Sequence, residues 1–245
     1  MIEFEQVTKV FGDACVVEDF SLQIPAHSFQ VFLGSSGAGK TTLLRMINAT
    51  LSPTSGRILI NSEDVSHQPA VQLRRSIGYV MQDGGLLPHR TVLDNVTTVL
   101  RLNKVPKKEA QHTGLAMMEK LGLDPQLASR YPHELSGGQA QRVGVARALA
   151  PKPNIVLMDE PFGALDPVVR AELQDLMRGL HKDLGTTIVF VTHDVREATS
   201  LADHIVLLET GGHVAQAGTP QALLDTPASD FVSRFMSAAQ GNEQS

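Results

Sequence analysis

Nine residues, Gly34-Ser35-Ser36-Gly37-Ala38-Gly39-Lys40-Thr41-Thr42, restrict this chain more than any other stretch. They fit G-x-x-x-x-G-K-[ST] without exception. Before them, Phe29-Gln30-Val31-Phe32-Leu33 reads as a short buried strand. After them, Thr41 to Ala49 reads as a helix with Leu43, Leu44, Met46 and Ile47 available to pack. Strand, glycine loop and helix in that order form one unit of an α/β sheet. Glycines let a backbone wrap tightly around an anion, and successive N–H groups with a helix start supply positive potential. In such a loop Lys40 reaches the β- and γ-phosphates of a nucleotide, and the Thr41 hydroxyl ligates Mg²⁺. A Gly/Ser linker that merely preceded a lysine would lack both flanks.

The rest of the chain continues the α/β rhythm. Ile2 to Val7 and Phe20 to Ile24 alternate like strands, and Arg57-Ile58-Leu59-Ile60 follows the turn Pro53-Thr54-Ser55-Gly56. Ile77 to Met81 is a further strand. From about Asp94 to Arg147 the pattern turns helical, with Leu115 and Met118 before the stop at Leu121-Gly122. Ile155-Val156-Leu157-Met158 and Thr187-Ile188-Val189-Phe190-Val191 are continuous apolar runs, as expected of central strands buried on both faces. Val168 to Asp183 between them reads as an amphipathic helix. The result is a βαβ alternation interrupted by a helical insertion.

Chemistry-bearing residues fall where these strands end. Ligands of parallel α/β sheets bind at the carboxyl ends of strands. Asp159 and Glu160 close the run Ile155–Met158; Asp159 suits the Mg²⁺ shell, and Glu160 suits polarising the water that attacks a γ-phosphate. Read without the upstream loop, the pair would simply end a strand before a turn. Gln82 follows Ile77–Met81; it is either a solvated strand-end amide or a ligand to Mg²⁺ and the attacking water. His193 follows Phe190-Val191-Thr192; it is either structural or a γ-phosphate contact. Phe11, an aromatic in a polar stretch, either packs in the core or stacks on an adenine face. Leu135-Ser136-Gly137-Gly138-Gln139 opens the apolar-periodic segment Gln141 to Leu149, so its N–H groups sit at a helix start and offer a second anion site.

Composition excludes several classes. The 245 residues suit one domain, or one domain carrying an inserted subdomain. No stretch approaches the roughly 18 uninterrupted apolar residues of a membrane span, and the first residues lack a signal-peptide pattern. The single cysteine, Cys15, permits no intrachain disulfide. A net charge of −5 argues against broad nucleic-acid affinity and against adhesion to acidic lipid. Any membrane association is therefore expected through a protein partner.

In this order, these residues resemble the nucleotide-binding subunit of an ATP-binding cassette (ABC) transporter, from Ile2 to about Phe235. Gly34–Thr42 is similar to that family's phosphate loop and Ile155–Glu160 to its second nucleotide motif. Gln82 is similar to its glutamine loop, and Leu135–Gln139 to its signature. Ala164-Leu165-Asp166 resembles its aspartate loop and His193 its switch histidine. The resemblance implies an α/β fold: a P-loop NTPase (RecA-like) core with an N-terminal antiparallel β subdomain and an inserted α-helical subdomain. It implies one domain over 1–240, the helical insertion at about 84–147, and a disordered tail at 241–245. It implies ATP and Mg²⁺, with Phe11, Gly34, Ser35, Ser36, Gly37, Ala38, Gly39, Lys40, Thr41 and Thr42 on ATP. Thr41, Gln82 and Asp159 would hold the metal, and Glu160, His193 and Gln82 would be catalytic.

The same resemblance implies a head-to-tail homodimer in which Leu135, Ser136, Gly137, Gly138, Gln139 and Asp166 reach the partner's ATP. It implies integral membrane permease subunits, an extracytoplasmic solute-binding protein reached indirectly, no nucleic acid and no direct membrane insertion. The expected location is cytoplasmic, peripheral on the inner face of the cell membrane. Gln82–Asn95, Tyr131–Glu134 and Asp159–Pro167 are similar to importer cassettes. Arg74–Gln82 looks most like the osmoprotectant group, which takes up glycine betaine, choline or carnitine. Amino-acid or polyamine import is the alternative within importers. Phe11 stands where tyrosine is commoner, which keeps stacking and loses a hydroxyl. Several members of the group carry a regulatory domain after the cassette; with Ser245 last, none is expected here. Soluble repair cassettes are split by long coiled coils and translation cassettes are usually doubled, unlike this chain. Small-molecule kinases lack the pentapeptide.

Overall fold

The computed structural model describes residues 1–163 and 165–237. Ala164 and the tail expected at 241–245 lie outside the described residues. In chain order the elements are β1 (Ile2–Phe11), β2 (Ala14–Ile24), β3 (Phe29–Gly34), α1 (Lys40–Ile47), β4 (Ser55–Ile60), β5 (Glu63–Asp64), α2 (Ala70–Ser76) and β6 (Ile77–Val80). Then come α3 (Val92–Val96), α4 (Thr98–Leu102), α5 (Lys107–Lys120), α6 (Gly137–Leu149), β7 (Ile155–Asp159) and α7 (Pro167–Leu184). The remainder is β8 (Thr187–Thr192), α8 (Val195–Leu201), β9 (His204–Leu208), β10 (Val214–Gly218), α9 (Pro220–Asp225) and α10 (Asp230–Ser237).

The chain divides into two units, one of Met1–Leu73 with the described residues from Thr187 on, the other of Arg74–Thr186. The first unit holds an antiparallel sheet ordered β2-β1-β4-β5. Its strands alternate: Ile2, Phe4 and Val7 of β1 and Val17, Phe20 and Ile24 of β2 are buried, as one core-facing side requires. Beside it, β3 lies between β8 and β9, parallel to both, and β10 closes against β9 antiparallel. Every residue of β3 and β8 is buried, which accounts for their mostly apolar sequences; Gln30, the polar side chain inside β3, donates through Nε2 to the Val31 and His204 carbonyls at 3.1 Å. The rings of Phe4, Phe20 and Phe32 meet edge to face at 5.1, 6.3 and 6.1 Å. Each such pair adds about 0.5–1.5 kcal/mol beyond burial, and together they fasten the antiparallel sheet over β3 just ahead of the glycine loop.

In the second unit β6 and β7 run parallel. Helix α6 packs on β6, α3 and α5, burying Val143, Val145, Ala146 and Leu149. Helix α7 starts with Asp166 as N-cap and Pro167 in its first turn, and ends at Gly185 with φ +58°. Leu173, Met177 and Leu180 are its buried stripe, a 3.6-residue period. The strands and helices expected from sequence are present, but β1 runs on from Val7 to Phe11 and β2 starts at Ala14 rather than Phe20; the others agree closely at their ends. Strands β9 and β10 and helices α8 to α10 were not anticipated. Yet Ile205-Val206-Leu207-Leu208 is an apolar run of the same kind as those in β7 and β8.

Candidate functional site

Strand register assembles the first half of the site. Leu33 of β3 lies opposite Thr192 of β8, so Gly34 and His193 leave the carboxyl ends of adjacent parallel strands together. Gly39, at φ +85°, caps α1, and a Cβ there would lie 2.8 Å from the Val16 carbonyl oxygen; only glycine fits. The Ala38 N–H donates to the Ser35 carbonyl at 3.3 Å, tightening the loop. Lys40 is 5% exposed, and its Nζ donates to the Gly34 and Ser35 carbonyls at 2.8 and 2.7 Å. A buried ammonium is costly without such acceptors. Ser35, Ser36 and Gly37 are exposed while Ala38, Gly39 and Lys40 are buried. The loop thus shows one side to solvent and rests the other on protein. Thr41 and Thr42 are half-buried in the first turn of α1.

His193 is exposed and follows a braced strand end. The Thr192 hydroxyl donates to Oε2 of buried Glu197 at 2.6 Å and accepts from the Asp194 N–H at 3.0 Å. Asp194 then caps α8 by accepting from the Arg196 N–H at 2.7 Å. Sequence reasoning missed Glu197; its one signal is a carboxylate four residues after a strand-end histidine. Phe11 ends β1 with 47% of its surface exposed, and Lys9 Nζ lies 4.9 Å from its ring centroid. The ring is therefore not a core residue, and one face carries a cation–π contact.

The second unit repeats the strand-end logic. Val80 of β6 lies opposite Met158 of β7, so Gln82 and the Asp159–Glu160 pair emerge at one edge. Tyr79 Oη donates to Asp159 Oδ2 at 3.3 Å. Glu160 has φ +45°, a left-handed conformation that costs a non-glycine residue of order 1–3 kcal/mol and turns the chain directly after the strand. A Cβ on Gly163 would lie 3.8 Å from Gln82 Nε2 and 4.0 Å from Glu160 Oε2. Both side chains therefore border the same glycine.

Ser136 is the N-cap of α6: its Oγ accepts from the Gln139 N–H at 3.2 Å, and Gln139 Oε1 accepts from the Ser136 N–H at 3.0 Å. Two of the N–H groups expected to face an anion, those of Ser136 and Gln139, are thus taken up by this capping box. Ser136 and Gly137 are exposed, and nothing lies within 4 Å of a Cβ placed on Gly137. Gly138 differs: its Cβ would come within 2.6 Å of Val169 Cγ1. That contact joins the start of α6 to the start of α7, where Asp166 Oδ1 accepts from the Val168 and Val169 N–H groups at 3.1 and 3.0 Å. The segment Leu135–Gln139 thus meets the first turn of α7, the turn that Asp166 caps. Ala164, expected in the same motif as Asp166, is outside the described residues.

Comparison with known proteins shows the family and the fold. A family model described as ABC transporter matches residues 17–163. The chain is 47% identical over 237 residues to the glycine betaine/carnitine/choline transport ATP-binding protein of Bacillus subtilis (strain 168), covering 96% of this chain and 62% of that relative. It is 48% identical over 240 residues to the glycine betaine uptake system ATP-binding protein of Escherichia coli (strain K12), covering 98% of this chain and 78% of that one. It therefore spans about three fifths of the Bacillus relative's length. Among solved structures, the dimeric post-hydrolysis state of the ATP-binding cassette MJ0796 bound to ADP and Pi superposes with a TM-score of 0.80 at 32% identity. The match covers 90% of this chain and 99% of that one.

Proposed function

The chain belongs to the ABC transporter family, and we propose that it is the ATP-hydrolysing subunit of an importer for a quaternary-amine osmoprotectant such as glycine betaine. The observation that carries the reading is the presence, in a single chain, of two phosphate-directed elements. One is a phosphate loop backed by buried Lys40; the other is a signature pentapeptide at an exposed helix start. The names of the Bacillus and Escherichia relatives support the solute. We read residues 1–240 as one cassette, with the helices of about 84–147 as its insertion.

In this reading Phe11 stacks on adenine, and Gly34–Thr42 wraps the phosphates with Lys40 as the cation. Thr41, Gln82 and Asp159 offer the hard oxygen ligands that suit Mg²⁺. Among the described residues no three or more His, Cys, Asp or Glu are placed to hold a metal. When bound, Mg²⁺ neutralises charge on the phosphates. Glu160 accepts the proton of the attacking water, Gln82 orients that water, and His193 donates to the γ-phosphate. Leu135–Gln139 and Asp166 meet the nucleotide of a second copy, in an isologous homodimer. ATP then bridges two copies and ADP, lacking the γ-phosphate, does not. No helix among the described residues is long and apolar enough to cross a membrane. In this reading, supported by the transport ATP-binding proteins it resembles, the pair acts on separate integral permease subunits from the cytoplasmic face, and a solute-binding protein is engaged only through them.

The test is the intact membrane complex with its solute-binding protein. ATP hydrolysis should rise when that protein is loaded with glycine betaine, choline or carnitine, and stay basal with sulfate. Stimulation by sulfate alone would overturn the solute assignment, and a complex without ATP hydrolysis would overturn the motor.

A further inference from the structure

Three hydrogen bonds and two close glycine approaches tie the loop that carries Gln82 to one face of α6. Gln141 Nε2 donates to the Met81 carbonyl at 3.4 Å. A Cβ on Gly84 would lie 3.2 Å from the Ala140 carbonyl oxygen, and one on Gly144 would lie 3.0 Å from the Gly84 carbonyl oxygen. Arg147 then forks onto the loop, Nη1 to the Gly85 carbonyl at 2.7 Å and Nη2 to the Gly84 carbonyl at 2.8 Å. Residues 140, 144 and 147 share one helix face. Gly84 and Gly85 have φ of +68° and +56°; such a glycine pair has little conformational preference of its own, so its shape depends on an external tie. At its other end the same helix begins with Ser136.

We infer that Arg147 is a positioning residue: it holds the Gln82 loop on α6, so that Gln82 moves with the helix whose first turn carries Ser136–Gln139. A planar fork suits two neighbouring carbonyls, and burial strengthens the charge-assisted bonds. Burial also pushes the Arg147 pKa down from its ordinary value, yet a guanidinium remains cationic at neutral pH. A helix is stiff along its axis, so a shift at its first turn is delivered at Arg147 and thence to the loop. The inference rests on the proposed role of Gln82 in holding Mg²⁺ and the attacking water.

A double-mutant cycle tests it in the full chain. Arg147→Met keeps the volume and removes the fork. Expected are a turnover number at least tenfold lower, a half-saturating Mg²⁺ concentration at least fivefold higher, and affinity for a fluorescent ATP analogue within twofold of the parent. Gln82→Ala should produce the same Mg²⁺ shift, and the double variant should be no worse than Gln82→Ala alone. Additive losses, with Gln82→Ala itself impaired, would overturn the positioning role and leave the function reading intact. A Gln82→Ala variant with normal Mg²⁺ dependence would overturn the role of Gln82 and the inference with it. Should Arg147→Met fail to fold, Arg147→Lys keeps the charge and loses only the planar fork. A smaller Mg²⁺ shift, again absent on top of Gln82→Ala, is expected there, and additivity would overturn the proposal equally.

Discussion

Lys40 is held by carbonyls of its own loop, at 2.7 and 2.8 Å. Those acceptors satisfy the buried ammonium; under the proposed function phosphate oxygens would replace them, with the side chain already held in place. Removing it deletes a charge-assisted contact worth about 1.5–3 kcal/mol. Lys40→Ala should therefore weaken ATP binding by roughly tenfold to just over a hundredfold, read by titration with a fluorescent analogue. Unchanged affinity would count against the loop. The part played by Lys40 is legible in the sequence because its partners lie within six residues. Glu197 is not legible. A glutamate early in a helix ordinarily reads as solvated, and only the fold places it under Thr192 with 4% exposure.

Short elements depend on ties that propensity does not announce. Helix α3 spans only Val92–Val96, capped by Thr91 Oγ1 accepting from the Asp94 N–H at 3.2 Å. Its Asn95 is fully buried. Asn95 Oδ1 accepts from the Leu87 N–H at 2.7 Å, and its amide nitrogen donates to the Leu87, Arg90 and Thr91 carbonyls at 3.1, 3.2 and 3.0 Å. One side chain thus organises the irregular stretch between β6 and α3. Asn95→Leu has similar size but leaves those backbone groups unpaired. It should lower stability by about 1–3 kcal/mol, visible as an earlier midpoint in urea unfolding. An unchanged midpoint would mean that water replaces the amide. In the sequence Asn95 is one polar residue in a helical window, and nothing local marks it as buried.

At the scale of the whole molecule, the proposed function requires a second copy. In the proposed mechanism a glutamine at 160 would keep the phosphate cage and lose the proton acceptor. Glu160→Gln should therefore bind ATP and accumulate as a dimer in size-exclusion chromatography with light scattering. Adding Ser136→Ala and Gly137→Asp should return it to monomer with ATP affinity preserved; a dimer that persisted would remove the pentapeptide from the interface. Residue pattern by itself determined the phosphate loop, the strand-end placement of Gln82, Asp159, Glu160 and His193, the helix start at Ser136, and the family resemblance. Each is a contiguous motif whose backbone geometry follows from its own residues. Tertiary structure alone decided that Leu33 faces Thr192 and Val80 faces Met158. It also decided that β9 lies beside β3, and that Arg147 bonds to carbonyls 62 and 63 positions away. Strand register and buried hydrogen bonds join segments remote in the chain, and whether a polar group is buried is set by what packs over it, which no local pattern contains.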